Sequence, residues 1–265
     1  MPRAAVTTAA ISLQQYLLHR SFWVGLFIGR VLPILIPLFA WTAVFASAGQ
    51  KSLGDWTETK MISYYLLVFI FSMFTQIYFH RDLSRMVHDG TLNHWLLRPL
   101  SFFEMAVGMI LGRVLTLLIP AVIVCIIGSV MIPELRELLW PYGMLKMTVL
   151  LPGVIFLLSC LSALIGMFSF WLIQTEGTFA MMMMVFEFFG GTLLPLSLLP
   201  SPLQHISTFL PLRFTINLPV RAILEHGSIN IFYVIAGQAL WSCGLIFAAT
   251  ILCKAGLRRY DAIGG

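Results

Sequence analysis

The residues best equipped for chemistry crowd into one polar run, RDLSRMVHDGTLNHWLLRPLSFFE, residues 81–104. With His80 just before it, the run holds three of the six histidines and three arginines. Such a grouping could ligate a metal or move protons, but the spacing disfavours both. His80, His88 and His94 lie eight and six residues apart, and two helical turns separate the first pair by about 12 Å. Asp89 stands next to His88, and sequence neighbours on a helix point in different directions. The four cysteines, Cys125, Cys160, Cys243 and Cys253, fall in apolar runs without metal-type spacing, so they read as small buried hydrophobes and imply no disulfide framework. No phosphate-cradling G-x-x-x-x-G-K-[ST] occurs; Gly49-Gln50-Lys51-Ser52 lacks the first glycine and the preceding strand. The chain is therefore not expected to perform ATP chemistry itself.

One further group invites a functional reading. Glu187 sits in MMMMVFEFFGG, inside an apolar run, where an ionised side chain at mid-membrane costs roughly 2.5–3.5 kcal/mol. Either it faces a substrate path or partner subunit, or it is a protonated or hydrogen-bonded glutamate that packs helices. The methionine run reads first as flexible packing surface and second as a surface adaptable to varied apolar ligands. Arg30 and Arg113 are expected to snorkel to the membrane surface, or to pair with Glu104 or Glu187.

The elements that must position these groups are helices in lipid. Of 265 residues, 59% are hydrophobic and 10% charged, with mean hydropathy +0.93. Soluble domains carry roughly 25% charged residues, so the chain reads as one integral membrane domain, 1–265. A bilayer core needs roughly 20 helical residues, and six runs qualify: 21–48, 60–79, 102–131, 142–173, 178–199 and 231–253. Residues 1–20 place Val6, Ala10, Leu13 and Leu17 at helical spacing, which predicts an amphipathic helix lying in the interface rather than a secretory signal. Residues 200–230 are apolar but broken by Pro200, Pro202, Pro211 and Pro219. They predict two short helical pieces that dip into the outer leaflet and return.

Lys and Arg in the flanks number eight on the side holding the termini and residues 81–99, against six on the other. That excess, with Arg30 and Arg113 near the same side, places both termini and the polar run in the cytoplasm. The net charge of +5 then reads as topology and contact with anionic lipid headgroups, not nucleic-acid binding.

Within the polar run, Leu83, Met86 and Val87 share a helical face, Gly90 can close that helix in a left-handed conformation, and Thr91 can cap a second piece. In that piece Leu92, Trp95 and Leu96 share a face, and Pro99 ends it. This is a helix–break–helix elbow between spans two and three. It carries apolar residues a soluble loop would not need, which suggests docking to another protein.

The segment DGTLNHWLLRPLSFFE resembles the G-x-L-x-x-x-L-L-R-P segment of six-span permeases of bacterial type-2 ABC transporters. The tail GLRRYDAIGG, 256–265, resembles the G-L-x-x-Y-x-x-x-G tail of one branch of them. The resemblance spans nearly the whole chain. It implies an all-α fold with an N-terminal interfacial helix, six spans, a cytoplasmic coupling helix between spans two and three, and a re-entrant hairpin before span six. It implies that Asp89, Gly90, Leu92, Leu96, Leu97, Arg98 and Pro99 dock on a separate ATPase subunit, which would bind ATP and Mg. It also implies a second permease, sister or identical, meeting near spans one and five. Gly25 and Gly29, which permit close helix approach, and Gly190 and Gly191 beside Glu187 suit that location. Export across a bacterial inner membrane is the direction and place implied. An ion-coupled carrier is the rival; it would need discontinuous helices and usually several buried acids. A membrane enzyme ranks last, for want of a His/Asp/Glu cluster at one depth.

Overall fold

The computed structural model describes residues 10–11, 14, 18, 20–48, 52–76, 79–97, 102–131, 133–172, 176–225 and 227–260. Helix α1 runs Arg20–Ala48, followed by a two-residue hairpin, β1 Ser52–Leu53 against β2 Trp56–Thr57. Then come α2 Glu58–Met73, α3 Phe79–His88, α4 Leu92–Leu96, α5 Phe102–Met131, α6 Pro133–Leu139, α7 Tyr142–Met167 and α8 Glu176–Gly190. Helices α9 Ser201–Thr208, α10 Asn217–Leu224 and α11 Ile231–Arg259 complete the order. The fold is thus all-α apart from the small hairpin.

Among the described residues, three helical stretches are long and apolar enough to cross a membrane: Glu104–Val130, Tyr142–Phe170 and Ile231–Arg259. Helix α1 is as long as the last of these and carries an apolar stretch at Leu35–Ser47. Helix α2 is short, 16 residues, and apolar on every side, so it takes the centre of the bundle. Met61, Tyr64, Tyr65, Leu67 and Phe71 along it are fully buried. Its first turn is capped by Thr57, whose hydroxyl accepts the Lys60 N–H. Helices α7 and α11 lie along one another; Gly153 of α7 leaves room for the side chain of Gln238, whose amide donates to the Phe214 carbonyl at 3.1 Å.

The expected third span matches α5 at both ends. The expected fifth span, 178–199, is corrected: α8 ends at Gly190, and Gly191–Pro200 holds only a 3-10 turn, Leu196–Leu198. Gly191 adopts φ +87, a left-handed conformation that stops the helix. The freed carbonyls find donors on α2, Tyr64 to Gly191 and Tyr65 to Leu193, each at 2.6 Å. Side chains therefore satisfy a non-helical segment inside the bundle. The last span runs farther than expected, to Arg259. The proline-rich stretch folds as two short helices, α9 and α10, around a 3-10 turn at Pro211–Phe214. Of residues 1–19 only 10, 11, 14 and 18 are described, all helical; the rest of the expected interfacial helix lies outside the described residues.

The helices sort the loops to two ends. At one, Trp56 donates to Ser197 at 3.0 Å, Lys60 pairs with Glu225 at 3.4 Å, Lys146 donates to the Ala222 carbonyl, and Arg221 forms a two-pronged pair with Glu225. At the other end, α3 and α4 share an apolar cluster with Phe170 and the last turns of α11.

Candidate functional site

Helix α3 is strongly amphipathic because its apolar residues recur on one side. Leu83, Met86 and Val87 are buried and Arg81 and Arg85 are exposed. Asp89 donates its N–H to the Arg85 carbonyl at 2.9 Å, and Gly90 at φ +70 reverses the chain. Helix α4 then starts with Asn93 and His94 donating to the carbonyls of Gly90 and Thr91. The expected helix–break–helix elbow is present.

Four contacts clamp the elbow to the bundle. Ser162 of α7 accepts the backbone N–H of His80 at 3.1 Å, and its hydroxyl lies 3.0 Å from His80 Nδ1. The His80 ring meets the edge of Phe179 of α8. Asp82 pairs with Arg113 of α5 at 3.4 Å, and exposed Arg81 pairs with Glu176 of α8 at 3.5 Å. Burial, with Arg81 and Arg113 adding to it, pushes the His80 imidazole down to about 4, so it is neutral near pH 7. Burial pushes the Asp82 carboxyl up, against the pull of Arg113 and Arg85.

The placement divides the expected docking residues. Asp89 and Leu97 are exposed, Leu97 to 84%, and Gly90 is half-buried. Leu92 is fully buried in the chain's own cluster with Leu83, Met105 and Phe170, so its side chain lies beneath the elbow. The side chain of Leu96, and Arg98 and Pro99 entirely, lie outside the described residues.

The second sequence motif converges on the same seat. A Cβ at Gly256 would overlap the Phe170 ring, and the Tyr260 ring meets Phe170 at 6.1 Å between centroids, edge to face. The elbow segment and the tail segment, far apart in sequence, therefore share one apolar cluster. Residues 261–265 lie outside the described residues.

Toward the bundle's interior lies a cavity of about 70 Å³. Glu187 lines it with Thr75, Ser162, Phe186 and Thr215. Glu187 is exposed, and among the described residues no ion pair reaches it. Arg113, an expected partner, meets Asp82 instead of Glu187. Gly190 and Gly191 lie where α8 ends. Both are buried within the chain, and a Cβ on Gly191 would press on the Tyr64 hydroxyl and Asn217, so they form a tight internal turn. Gly25 and Gly29 are exposed with nothing near a Cβ placed on either. No group of His, Cys, Asp or Glu able to hold a metal occurs among the described residues.

The sequence reading missed Ser162, Asp82, Tyr64 and Tyr65. A serine inside the apolar run LLSCLSALIG and paired tyrosines in span two were the available signals, since buried polar groups need partners.

A profile described as an ABC-2 family transporter protein matches residues 31–264 of the chain. No curated protein matches it.

Proposed function

The chain belongs to the ABC-2 family of transporter proteins, a membrane component with several spanning helices, and we propose that it is the permease that couples a separate ATPase to substrate movement. In this reading α1, α2, α5, α7, α8 and α11 form six spans, with Gly191–Leu224 a re-entrant segment at the outer end. Both termini and the elbow face the cytoplasm of a bacterial cell. A second permease, identical or sister, packs on the open face of α1 at Gly25 and Gly29, and the path runs between the two. Apolar side chains left exposed on α5, such as Leu115, Val122 and Ile126, meet lipid or that partner.

The observation that carries the reading is the elbow itself. Its inner face is clamped by Ser162 and Arg113, while Asp89 and Leu97 project from its tip. A partner pressing on that tip displaces α5, α7 and α8 together, because each holds the elbow by a polar contact. ATP and Mg bound on the partner would close the ATPase pair, move the elbows, and open the path outward, giving export. An ion-coupled carrier has in its favour Glu187 and the break after α8, without the several buried acids such carriers usually use.

The test is isolation of the tagged chain from native membranes in a detergent that preserves such complexes. A stoichiometric ATPase with a phosphate-binding loop is the expected companion. A chain that emerges without one overturns the proposal.

A further inference from the structure

The cavity beside Glu187 has a chemical polarity that its lining residues decide. Thr75 donates its one hydroxyl proton to the Ser72 carbonyl at 2.7 Å, and Thr215 donates its own to the Leu212 carbonyl at 2.6 Å. Each hydroxyl is left with lone pairs only. An ionised Glu187 is likewise acceptor-only. No Lys, Arg or His lines the cavity. Ser162 and Thr192 add two further hydroxyls, and Glu187 is the one acidic group of the lining, so the balance is toward acceptors and negative charge, with the Phe186 ring and Met183 supplying a face for a cation or an alkyl stem.

We propose that this cavity binds the protonated amine of an amphipathic ligand, its ammonium N–H groups donating to Glu187 and to the hydroxyls of Thr75 and Thr215. This rests on reading the chain as the subunit that lines the transport path, and it names the class of substrate that path admits. Anions meet the charge of Glu187 and find only the hydroxyls of Ser162 and Thr192 as side-chain donors in the lining. A neutral alcohol donates only one hydrogen bond, while an ammonium donates a charge-assisted bond and up to two more. A quaternary ammonium keeps the charge and loses every N–H. The glutamate gains as well, since a counter-charge offsets the cost of an ionised group in an apolar helix.

The full-length chain in lipid nanodiscs, without nucleotide or ATPase, is titrated with radiolabelled n-hexylammonium, with uptake by empty nanodiscs subtracted. The expected result is saturable binding at one site per chain. Glu187→Gln weakens it at least about tenfold, as loss of a charge-assisted hydrogen bond does, and Thr215→Val weakens it a few-fold. Hexyltrimethylammonium binds more weakly than hexylammonium, and hexanoate does not bind. No saturable excess, equal binding of hexanoate, or equal affinities for hexylammonium and hexyltrimethylammonium overturns the site, as does an unchanged affinity in a folded Glu187→Gln chain. Because neither transport nor the ATPase enters the measurement, such a failure leaves the permease reading standing. Absence of an ATPase companion bears on that reading alone.

Discussion

The hydroxyl oxygen of Ser162 accepts the backbone N–H of His80 at 3.1 Å, and the same serine lines the cavity of Glu187. One side chain thus belongs to both the elbow's anchorage and the wall of the cavity. No intervening residue is needed to carry motion of α3 to that wall. Ser162→Ala removes the acceptor from a buried N–H, and loss of such a partner costs about 1–3 kcal/mol. The expected outcome is a lower unfolding temperature with assembly retained, and a larger loss in substrate-stimulated ATP hydrolysis than in basal hydrolysis. Equal loss of both would show that the contact is structural only.

The Asp82–Arg113 pair is expected to behave as a coupled unit. Its side chains are 22% and 12% exposed, enough burial that stranding one partner matters more than at a surface pair. Asp82→Asn and Arg113→Gln should each destabilise the chain by about 1–3 kcal/mol, and the double variant by clearly less than their sum. A thermal-unfolding double-mutant cycle reads this directly; strict additivity would deny the coupling.

Protonation of His80 gives a pH dependence with a definite sign. Its folded-state pKa lies below the unfolded value of 6.5, at about 4, so the unfolded chain binds the extra proton between these two limits. Stability contributed by the neutral ring is full above pH 6.5 and is lost as pH falls toward 4. Arg81 and Arg113 oppose the charged form, and Asp82 is the nearby acid. Unfolding temperature measured from pH 7.5 to 4.5 should fall less steeply in His80→Asn than in the wild type. Parallel curves for the two proteins would remove His80 as the cause.

Leu97 and Leu92 separate docking from folding. Leu97 is 84% exposed and Leu92 is fully buried. Leu97→Asp should leave the unfolding temperature within a degree or two, because exposed changes cost within about 0.5 kcal/mol, yet abolish recovery of the ATPase. Leu92→Asp buries a charge and should destabilise the elbow outright. Leu96→Asp is expected to prevent ATPase recovery while leaving membrane insertion intact. Normal ATPase recovery with Leu97→Asp would move the docking face elsewhere on the elbow.

Gly191 and Tyr64 form the turn that ends α8. Gly191→Ala meets a left-handed backbone and the Tyr64 hydroxyl together, and should cost more than about 1 kcal/mol. Tyr64→Phe removes the bond to the Gly191 carbonyl and should cost about 1–3 kcal/mol. Chemical denaturation of the purified chain reports both. A neutral Gly191→Ala would mean that the turn relaxes freely.

Local chemistry was legible in the sequence where one residue type acts alone. Gly90 broke the elbow where expected, the prolines divided residues 200–230 into short helices, and Phe102–Met131 needed only its hydropathy and bounding loops. Reading failed where distant residues choose among local options. The apolar stretch after Gly191 looked helical by composition, but Tyr64 and Tyr65, more than a hundred residues earlier, supply the donors that allow it not to be. Leu92 entered the docking set because the family motif includes it, and a motif does not show what covers a side chain, here Met105 and Phe170. The Ser162–His80 and Arg113–Asp82 contacts join helices whose neighbourhood no spacing rule predicts.

The seat beneath the elbow also imposes an order of assembly. Leu252, Leu257 and Tyr260 of the last helical segment complete the cluster that holds Leu83 and Leu92, and Gly256 lets that helix lie against Phe170. During synthesis the elbow is made long before α11, so it leaves the ribosome without one wall of its support. A chain interrupted before Gly256 carries every residue of the elbow but lacks Leu257 and Tyr260 from the cluster beneath it. The last helix therefore joins the packing beneath the elbow later in synthesis than α5, α7 and α8, which hold it by Arg113, Ser162 and Phe179.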